Sequence, residues 1–325
     1  MPKTDEPIPA IVIFGATACG KTDFAVSVFG RNSASGLAGT CEIINADSVQ
    51  VYRESLIASA RPTAEERQEV PHHLVGIREG SQEFSVSDFV READAACENV
   101  FERGRVPVLL GGSAFFLKNF LLSLPATPPA DEAVRKRLQA ELQQFGETAL
   151  FEQLQKCDPV SASRIQIRDH YRVLRALEVY ETAKKPLSSF ELSTELRSRY
   201  RFLILTLTRS RETLYRRIER RVDKMFAGGL CEEFETLYRK GYTAESPIMK
   251  AIGYREFFTV NEKAPLSADP EVVKALIKRN TRRYAKRQET FFKKIPQNRV
   301  VDLENKSEVT AAILKLETFV EHSFC

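Results

Sequence analysis

The sequence predicts an α/β protein in which a parallel β-sheet core carries a helical insertion domain. Continuous apolar runs alternate with stretches of helical pattern, and this alternation is typical of a parallel sheet that helices cover on both faces. A break at Pro125–Pro129 is followed by helical patterns without a strand candidate. We therefore expect the core to comprise residues 1–125 and 200–325, and the insertion to comprise residues 126–199.

Four apolar runs are the predicted core strands, because strands buried on both faces are apolar throughout. They are Ile8–Phe14, Ile43–Ala46, Val106–Leu110 and Phe202–Leu207, and Arg299–Leu303 is a candidate fifth strand. Ligands of open parallel sheets bind beyond the carboxyl ends of the strands. The residues that follow these runs are therefore the first candidates for a functional site.

The longer helices are predicted from apolar residues that recur three or four positions apart. They are Ser87–Arg103, Asp131–Phe145, Asp169–Thr182, Arg211–Ala227, Glu232–Arg239 and Glu271–Lys294, and another helix is expected in the C-terminal tail. In the Glu271–Lys294 helix, Ile277, Tyr284 and Phe291 recur every seven residues, which predicts that they form its buried stripe.

Composition excludes several protein classes. With 43% apolar and 28% charged residues, the 325-residue chain is not disordered. No run approaches the roughly 18 apolar residues that a membrane span needs. The six cysteines form no C-x-x-C pair, and the first residues lack the apolar core of a signal peptide. We expect a cytoplasmic protein without a membrane anchor, and a monomer, since no motif demands a second subunit.

Charge is unevenly distributed along the chain. Residues 201–300 carry a net charge of +11 (23 Lys and Arg against 12 Asp and Glu), whereas the remainder carries −7. A basic third on an acidic remainder indicates a polyanionic partner, either phosphate or nucleic acid. Solvated helix faces are the alternative explanation.

A phosphate-binding loop follows the first predicted strand. Gly15-Ala16-Thr17-Ala18-Cys19-Gly20-Lys21-Thr22 matches G-x-x-x-x-G-K-[S/T] and precedes a helical pattern, which makes the fold a P-loop α/β core. Its backbone amides and Lys21 are expected to bind phosphate oxygens, and the Thr22 hydroxyl is expected to hold Mg²⁺. The alternative is a glycine-rich turn with an exposed lysine.

Asp47 is the candidate catalytic carboxylate because it follows the Ile43–Ala46 strand. A nucleotide hydrolase needs a second acid near the loop to hold magnesium, but the Val106–Leu110 strand leads into Gly111-Gly112-Ser113. Group transfer to an acceptor beside the phosphates therefore fits better than a motor or a switch. The alternative role of Asp47 is to cap the turn that follows it.

Six separated motifs resemble the tRNA dimethylallyltransferase (isopentenyltransferase) family over residues 9–294. They are the phosphate loop, Ile43–Tyr52, Pro71–Leu74, Gly111–Ser113, Ala251–Arg255 and Arg283–Gln288. The chain departs from the family pattern at Ala16, Cys19, Val49 and Ser113, where small substitutions keep the loop and the hydroxyl chemistry.

The resemblance implies transfer of a dimethylallyl group from dimethylallyl diphosphate to the exocyclic amine of the tRNA adenosine that is 3′-adjacent to the anticodon. The phosphate loop, Mg²⁺ and arginines would neutralise the leaving diphosphate, and Asp47 would take the amine proton. Arg217 and Arg221 share one helix face, and the resemblance implies that at least one clamps the diphosphate. Arg211 is a third candidate.

The resemblance also implies a set of residues that act in catalysis or contact tRNA. Besides Asp47, the catalytic set is Lys21, Thr22, Ser113, Arg217 and Arg221. The tRNA-contacting set, which also includes Asp47, is Ser48, Val49, Gln50, Ser113, Arg135, Tyr171, Arg172, Val173, Leu174, Arg175, Lys250, Gly253, Tyr254, Arg255, Arg282, Arg283, Lys286 and Arg287.

The basic helix is the predicted RNA-binding element. One row of cations is Lys278, Arg282 and Lys286, and a parallel row is Arg279, Arg283 and Arg287. With few acids to pair them, these rows would follow the phosphate backbone of tRNA. His72 and His73 point to opposite sides of an extended segment, so packing is a better prediction for them than metal binding.

Three other functions share some of these motifs. An isopentenyltransferase that acts on free adenylate would need neither the insertion nor the basic helix. A P-loop small-molecule kinase would place ATP in the loop. An RNA-binding protein without activity leaves the loop and Asp47 without a role.

Overall fold

A six-stranded parallel sheet forms the centre of the computed structural model, which describes residues 6–190, 193–293 and 295–324. Its strands are β1 (Ile8–Gly15), β2 (Cys41–Asn45), β3 (His72–His73), β4 (Val106–Gly111), β5 (Tyr200–Thr208) and β6 (Arg299–Asp302). They lie in the order β3-β2-β4-β1-β5-β6, and each neighbouring pair is parallel. All the carboxyl ends therefore meet at one edge, where such sheets bind ligands.

The structure confirms the predicted parallel sheet and adds β3, which the apolar patterns missed. Two residues are too few to show a periodicity, and β3 exists because His72 and His73 pair with Ile43 and Ile44 of β2. β1 lies at the centre between β4 and β5 and is completely buried from Ala10 to Phe14. This burial explains why its sequence is continuously apolar.

Helices occupy most of the remaining chain. Within the described residues they are α1 (Lys21–Phe29), α2 (Ala64–Glu69), α3 (Val86–Glu102), α4 (Ala114–Leu122), α5 (Glu132–Cys157), α6 (Pro159–Ala162), α7 (His170–Ala183), α8 (Arg211–Ala227), α9 (Leu230–Arg239), α10 (Arg255–Val260), α11 (Pro270–Phe292) and α12 (Lys306–Glu321). None of them combines the length and the apolarity that a bilayer span requires. The six predicted helices are all present, but Lys294, the predicted end of α11, lies outside the described residues, as does Cys325.

Side-chain caps explain where several helices begin. Ser85 accepts a hydrogen bond from the Asp88 amide, and the Asp88 carboxylate accepts one from the Ser85 amide, which is a capping box at the start of α3. Asp131 and Asp269 cap α5 and α11 by a simpler arrangement, in which one carboxylate oxygen accepts hydrogen bonds from amides of the first turn. α5 is longer than predicted because helix resumes after a kink at Gly146, whose φ of 79° a glycine adopts readily.

The chain forms two compact units. One comprises the chain up to Leu121 and from Arg197 onward, and it contains the sheet; the other is the chain between them, close to the predicted insertion. The second unit is helical and has a core of its own, as a separately packed body requires. That core includes Leu138, Leu150, Leu154, Val173, Ala176 and Leu177.

A buried carboxylate joins the amino-terminal ends of β2 and β4. Glu42 is 3% exposed, and its oxygens accept hydrogen bonds from Arg103 and Arg105, both at 2.6 Å, and lie 2.6 Å from His73 Nε2. Burial alone would raise the pKa of Glu42, but the hydrogen bonds from His73 and Arg105 and the charge of Arg103 outweigh burial and hold this pKa below its ordinary value.

We expect Glu42→Gln to lower the free energy of unfolding by about 1–3 kcal/mol at neutral pH, because the variant loses charged hydrogen bonds. A carboxyl whose pKa is lower in the folded state stabilises the fold at pH values above its unfolded-state pKa of 4.5. This contribution is lost as the pH falls through the folded-state pKa. Urea unfolding from pH 3 to pH 7 should therefore show a difference between wild type and variant that narrows in acid. If the difference in free energy of unfolding between wild type and variant were equal at every pH, Glu42 would not carry the assigned negative charge.

Candidate active site

The phosphate loop, residues 15–22, turns between β1 and α1 through two left-handed residues. Ala18 has a φ of 64° and Gly20 a φ of 104°. At Gly15 an added Cβ would come within 2.5 Å of Cys19 Sγ and 2.9 Å of the Leu207 carbonyl, so no other residue fits there without a shift. The loop therefore packs closely against itself and against β5 at Gly15.

Cationic side chains hold the carbonyl groups of the phosphate loop. Lys21 Nζ donates to the carbonyls of Gly15 (2.9 Å) and Ala16 (3.0 Å). Arg217 Nε donates to the carbonyl of Ala18 at 2.7 Å, and Arg209 Nε to that of Cys19 at 2.6 Å. The amides of the first turn of α1 have no intrahelical partner. Together with the neighbouring cationic side chains, these amides form a preorganised anion site.

Asp47 is half-buried and lies two residues beyond the end of β2. Its Oδ1 accepts hydrogen bonds from the amides of Val49 (2.8 Å) and Gln50 (3.3 Å), so Asp47 does cap the following turn. Its Oδ2 accepts no hydrogen bond from the described residues. One oxygen therefore fixes the carboxylate, and the other can accept a proton or a hydrogen bond from a ligand.

Ser113 and Gln288 connect the strand ends around Asp47. Ser113 Oγ accepts a hydrogen bond from the Ser48 amide at 2.9 Å. The buried Gln288 of α11 donates to the Gly112 carbonyl at 2.6 Å and accepts from the Thr17 amide at 2.9 Å. Gln288 was not among the predicted site residues, although a polar side chain on the buried face of a helix is the signal that could have found it.

Two cavities meet at Asp47, both within the unit that contains the sheet. The first, of about 720 Å³, is lined by the phosphate loop, and the second, of about 290 Å³, is lined by residues of α8, α11 and the segment before α10. The residues that line both are Thr17, Asp47, Ser59, Arg221, Met225 and Tyr284. A group in the first cavity and a group in the second could therefore react beside one carboxylate.

Four cations of α8 line the first cavity, namely Arg217, Arg220, Arg221 and Lys224. Arg217 also pairs with the exposed Asp23 at 2.9 Å. Burial lowers the pKa of Arg221, and the charge of Asp47 opposes this shift. The structure thus brings both predicted clamp candidates to the first cavity, whereas Arg211 lines a separate cavity of about 380 Å³.

Tyr284 is the aromatic wall between the cavities. It was predicted to belong to the buried stripe of α11, but its ring lines both cavities. Burial, with the charge of Asp47 as a second cause, raises the pKa of Tyr284 to about 12. Of the predicted stripe, Ile277 is buried as expected, whereas Phe291 is only partly buried and its neighbour Phe292 packs inside. The buried face of α11 is formed by Val273, Ile277, Thr281, Ala285, Gln288 and Phe292.

The match to a family model decides where the chain belongs. Residues 50–295 match the model described as IPP transferase. The chain belongs to the IPP transferase family. Curated relatives include the tRNA dimethylallyltransferase 1 of Syntrophotalea carbinolica, which is 38% identical over 97% of both chains, and the tRNA dimethylallyltransferase of Pelotomaculum thermopropionicum, 37% identical over 93% of both chains.

Solved structures of the IPP transferase kind share this fold. The full-length tRNA isopentenylpyrophosphate transferase of Bacillus halodurans superposes with a TM-score of 0.68 at 32% identity, over 97% of both chains. A eukaryotic dimethylallyltransferase described as acting on tRNA superposes with a TM-score of 0.80 at 26% identity, over 97% of this chain and 80% of that one.

Several residues predicted to contact tRNA in this IPP transferase are buried, or are partly buried and already paired within the protein. Tyr254 is completely buried, and Val173 is 3% exposed in the core of the second unit, so a side-chain contact from either to RNA is inconsistent with the structure. Arg135 and Arg175 both pair with the buried Glu178, at 3.4 and 3.2 Å. Leu174 is a partly buried neighbour of the same core.

Other predicted tRNA contacts are accessible. Tyr171 is 73% exposed, and its neighbour Arg172 is exposed and paired with Asp169. Lys250 lies before α10 and Arg255 is its first residue; both are exposed and line the second cavity, whereas Gly253 between them is buried against Ala58. Gln50 donates its side-chain amide to the carbonyls of Ser59 and Ala60, so its N–H groups already have partners.

The two cation rows of α11 differ in their ion pairing. The prediction that few acids pair these cations is wrong for the first row. In the first row, Lys278 pairs with Asp223 at 2.7 Å and Arg282 with Glu219 at 3.3 Å, both acids of α8. In the second row, Arg279, Arg283 and Arg287 are exposed and form no ion pair with the described residues. The second row, together with Lys286, is the accessible basic surface.

The two histidines are oriented by neighbouring groups of the protein. His72 Nδ1 lies 2.7 Å from the Val70 carbonyl, and burial lowers its pKa, while His73 pairs with Glu42. Within the described ranges, no group of three or more His, Cys, Asp and Glu side chains could hold a metal ion.

We expect Gln288→Ala to weaken binding of inorganic diphosphate about tenfold and to lower the free energy of unfolding by about 1–3 kcal/mol, because it leaves the Thr17 amide without its acceptor and removes the shorter of the two hydrogen bonds to the Gly112 carbonyl. Isothermal titration calorimetry and urea unfolding measure the two effects. The matched control is Gln144→Ala, at an exposed position of α5, which should change neither. Unaltered diphosphate affinity in Gln288→Ala would mean that this bridge does not support the loop.

Proposed function

We propose that this protein transfers a dimethylallyl group from dimethylallyl diphosphate to the exocyclic amine of the adenosine that is 3′-adjacent to the anticodon of tRNA. The observation that carries this proposal is the position of Asp47 between two cavities, one with an anion site and one with an accessible basic rim. Membership of the IPP transferase family and relatives named tRNA dimethylallyltransferases support the same reaction.

The first cavity suits the diphosphate of the prenyl donor. Ionisation of an allylic diphosphate requires that the negative charge growing on the leaving group is neutralised by preorganised donors. The loop amides, Lys21, Arg217 and Arg221 supply such donors. Lys21 would exchange its bonds to the loop carbonyls for phosphate oxygens, and planar guanidinium groups suit two-point contacts to phosphate.

Mg²⁺ fits the same site. The Thr22 hydroxyl lines the first cavity and makes no hydrogen bond to the described residues, so it is available as an oxygen ligand. Magnesium commonly takes one or two protein oxygens and completes its shell with water and substrate phosphates, which a site with a single hydroxyl allows. When bound there, the ion would add positive charge beside the diphosphate.

The second cavity suits the adenine. A base in a stacked anticodon loop must leave the stack before an enzyme can act on its amine. Lys250, Arg255 and Arg287 would contact the flanking phosphates, and Ser48, which the buried Ser113 holds in place, offers a hydroxyl group for a base edge. Asp47 Oδ2 would accept the amine proton as the new carbon–nitrogen bond forms, and the diphosphate leaves on the opposite side.

Mass spectrometry of nucleosides tests the proposal directly. Undermodified tRNA and dimethylallyl diphosphate should yield prenylated adenosine, whereas free AMP should yield no product. Prenylated AMP with unmodified tRNA would favour the adenylate isopentenyltransferase instead. Transfer of a γ-phosphate from ATP to an acceptor would indicate a kinase.

We expect Asp47→Asn to reduce kcat at least about 100-fold, because the amide still caps the turn but cannot accept the proton. Single-turnover prenylation measures the rate, and filter binding should show that tRNA affinity changes less than about twofold. Asp269→Asn, which replaces one helix cap by another, is the control. Normal turnover in Asp47→Asn would remove this carboxylate from the mechanism.

We expect the double substitution of Arg283 and Arg287 by Gln to raise the KM for tRNA and to reduce the slope of log affinity against log salt by about one to two, because each contact to phosphate releases about one counterion. The KM for dimethylallyl diphosphate should not change. The matched pair is Lys278→Gln with Arg282→Gln, whose cations are already paired with α8. An equal effect of both pairs would contradict the distinction between the two rows.

A further inference from the structure

The segment from Leu56 to Ala60, here called the wall segment, separates the two cavities. Ile57 and Ala60 line the first cavity, Ala58 lines the second, and Ser59 lines both. The segment belongs to no helix or strand, so its shape depends on bonds to neighbouring elements.

One carboxylate binds three consecutive amides of the wall segment. Glu233 of α9 accepts hydrogen bonds from the amides of Leu56 (2.9 Å) and Ile57 (2.8 Å) through Oε2, and from the amide of Ala58 (3.0 Å) through Oε1. Consecutive amides that converge on one anion form a concave anion-binding turn. Here the anion is a side chain of the protein, and it fixes the backbone at three positions.

Tyr254 and Gly253 support the same arrangement from the segment before α10. The buried Tyr254 hydroxyl donates to Glu233 Oε1 at 2.6 Å and lies 3.0 Å from Ser55 Oγ. Gly253 has a φ of 115°, and an added Cβ there would lie 2.9 Å from Ala58 Cβ. These contacts give the Gly253-Tyr254 pair a role that needs no contact with RNA.

The wall segment in turn orients two side chains of the site. The Ser59 carbonyl accepts hydrogen bonds from Arg221 Nη2 at 3.3 Å and from Gln50 Nε2 at 3.2 Å. Arg221 is the cation that lines both cavities and interacts with Asp47. A displacement of the segment therefore moves the guanidinium that faces both the leaving group and the carboxylate.

We propose that Glu233, supported by Tyr254, is a positioning residue of this active site: it holds the wall segment so that the Ser59 carbonyl orients Arg221 toward the diphosphate. This inference rests on the proposed assignment of the first cavity to the diphosphate. Glu233 itself lines neither cavity, so its effect passes through the backbone of residues 56–59.

A double-mutant cycle on binding of inorganic diphosphate with Mg²⁺ tests the proposal without the transfer reaction. We expect Glu233→Gln to weaken this binding at least about fivefold, since the amide group cannot accept from all the donors, and Tyr254→Phe to weaken it less. The double variant Glu233→Gln with Arg221→Lys should bind no more weakly than Arg221→Lys alone, because the first residue acts through the second. Calorimetry at a temperature well below the Tm of each variant measures the constants.

Glu235→Gln is the matched control, because Glu235 lies on the same helix and, among the described residues, pairs only with the exposed Arg239. It should leave the diphosphate affinity unchanged, both alone and with Arg221→Lys. If Glu233→Gln had a lower Tm but unchanged diphosphate affinity, Glu233 would be only a structural residue and the proposal would be overturned. The same conclusion would follow if the losses of binding free energy in Glu233→Gln and Arg221→Lys were additive. A wild-type protein that binds no diphosphate would overturn the proposed function as well.

Discussion

The parallel pairing of β1 with β4 on one side and β5 on the other is the constraint on which the site depends. It places the phosphate loop, Gly112 and Arg209 next to one another, although they lie far apart in the sequence. The next strand, β2, brings Asp47 to the same edge. The chemistry of the site is thus set by strand order, because a different order would separate the loop from the carboxylate.

Much of this arrangement could be predicted from the sequence. A continuous apolar run predicts a strand buried on both faces, and the spacing of glycine, lysine and threonine predicts a phosphate loop after it. The end of the following run then identifies Asp47. These signals are local: each is contained within about ten residues, so one sequence is enough to find them.

The parts that could not be predicted depend on contacts between distant segments. Nothing near Tyr254 in the sequence shows that its hydroxyl meets Glu233, and the resemblance placed it on the RNA surface instead. The pairing of Lys278 and Arg282 with acids of α8 was missed for the same reason, because α8 and α11 are distant in the sequence and contact each other only in the folded protein. Val173 illustrates a further limit. The motif identifies the segment that contains Val173, but only the packing of the folded chain determines that this side chain is buried.

The position of Glu42 has a consequence for engineering this enzyme. Glu42 lies near the amino-terminal end of β2, and Asp47 follows the carboxyl-terminal end, so about five residues of extended strand, roughly 16 Å, separate the two carboxylates. The carboxylate whose charge stabilises the fold and the carboxylate proposed as the proton acceptor therefore lie at opposite edges of one sheet. Substitutions in the Glu42 cluster therefore change the stability of the fold without removing any residue that hydrogen-bonds to Asp47.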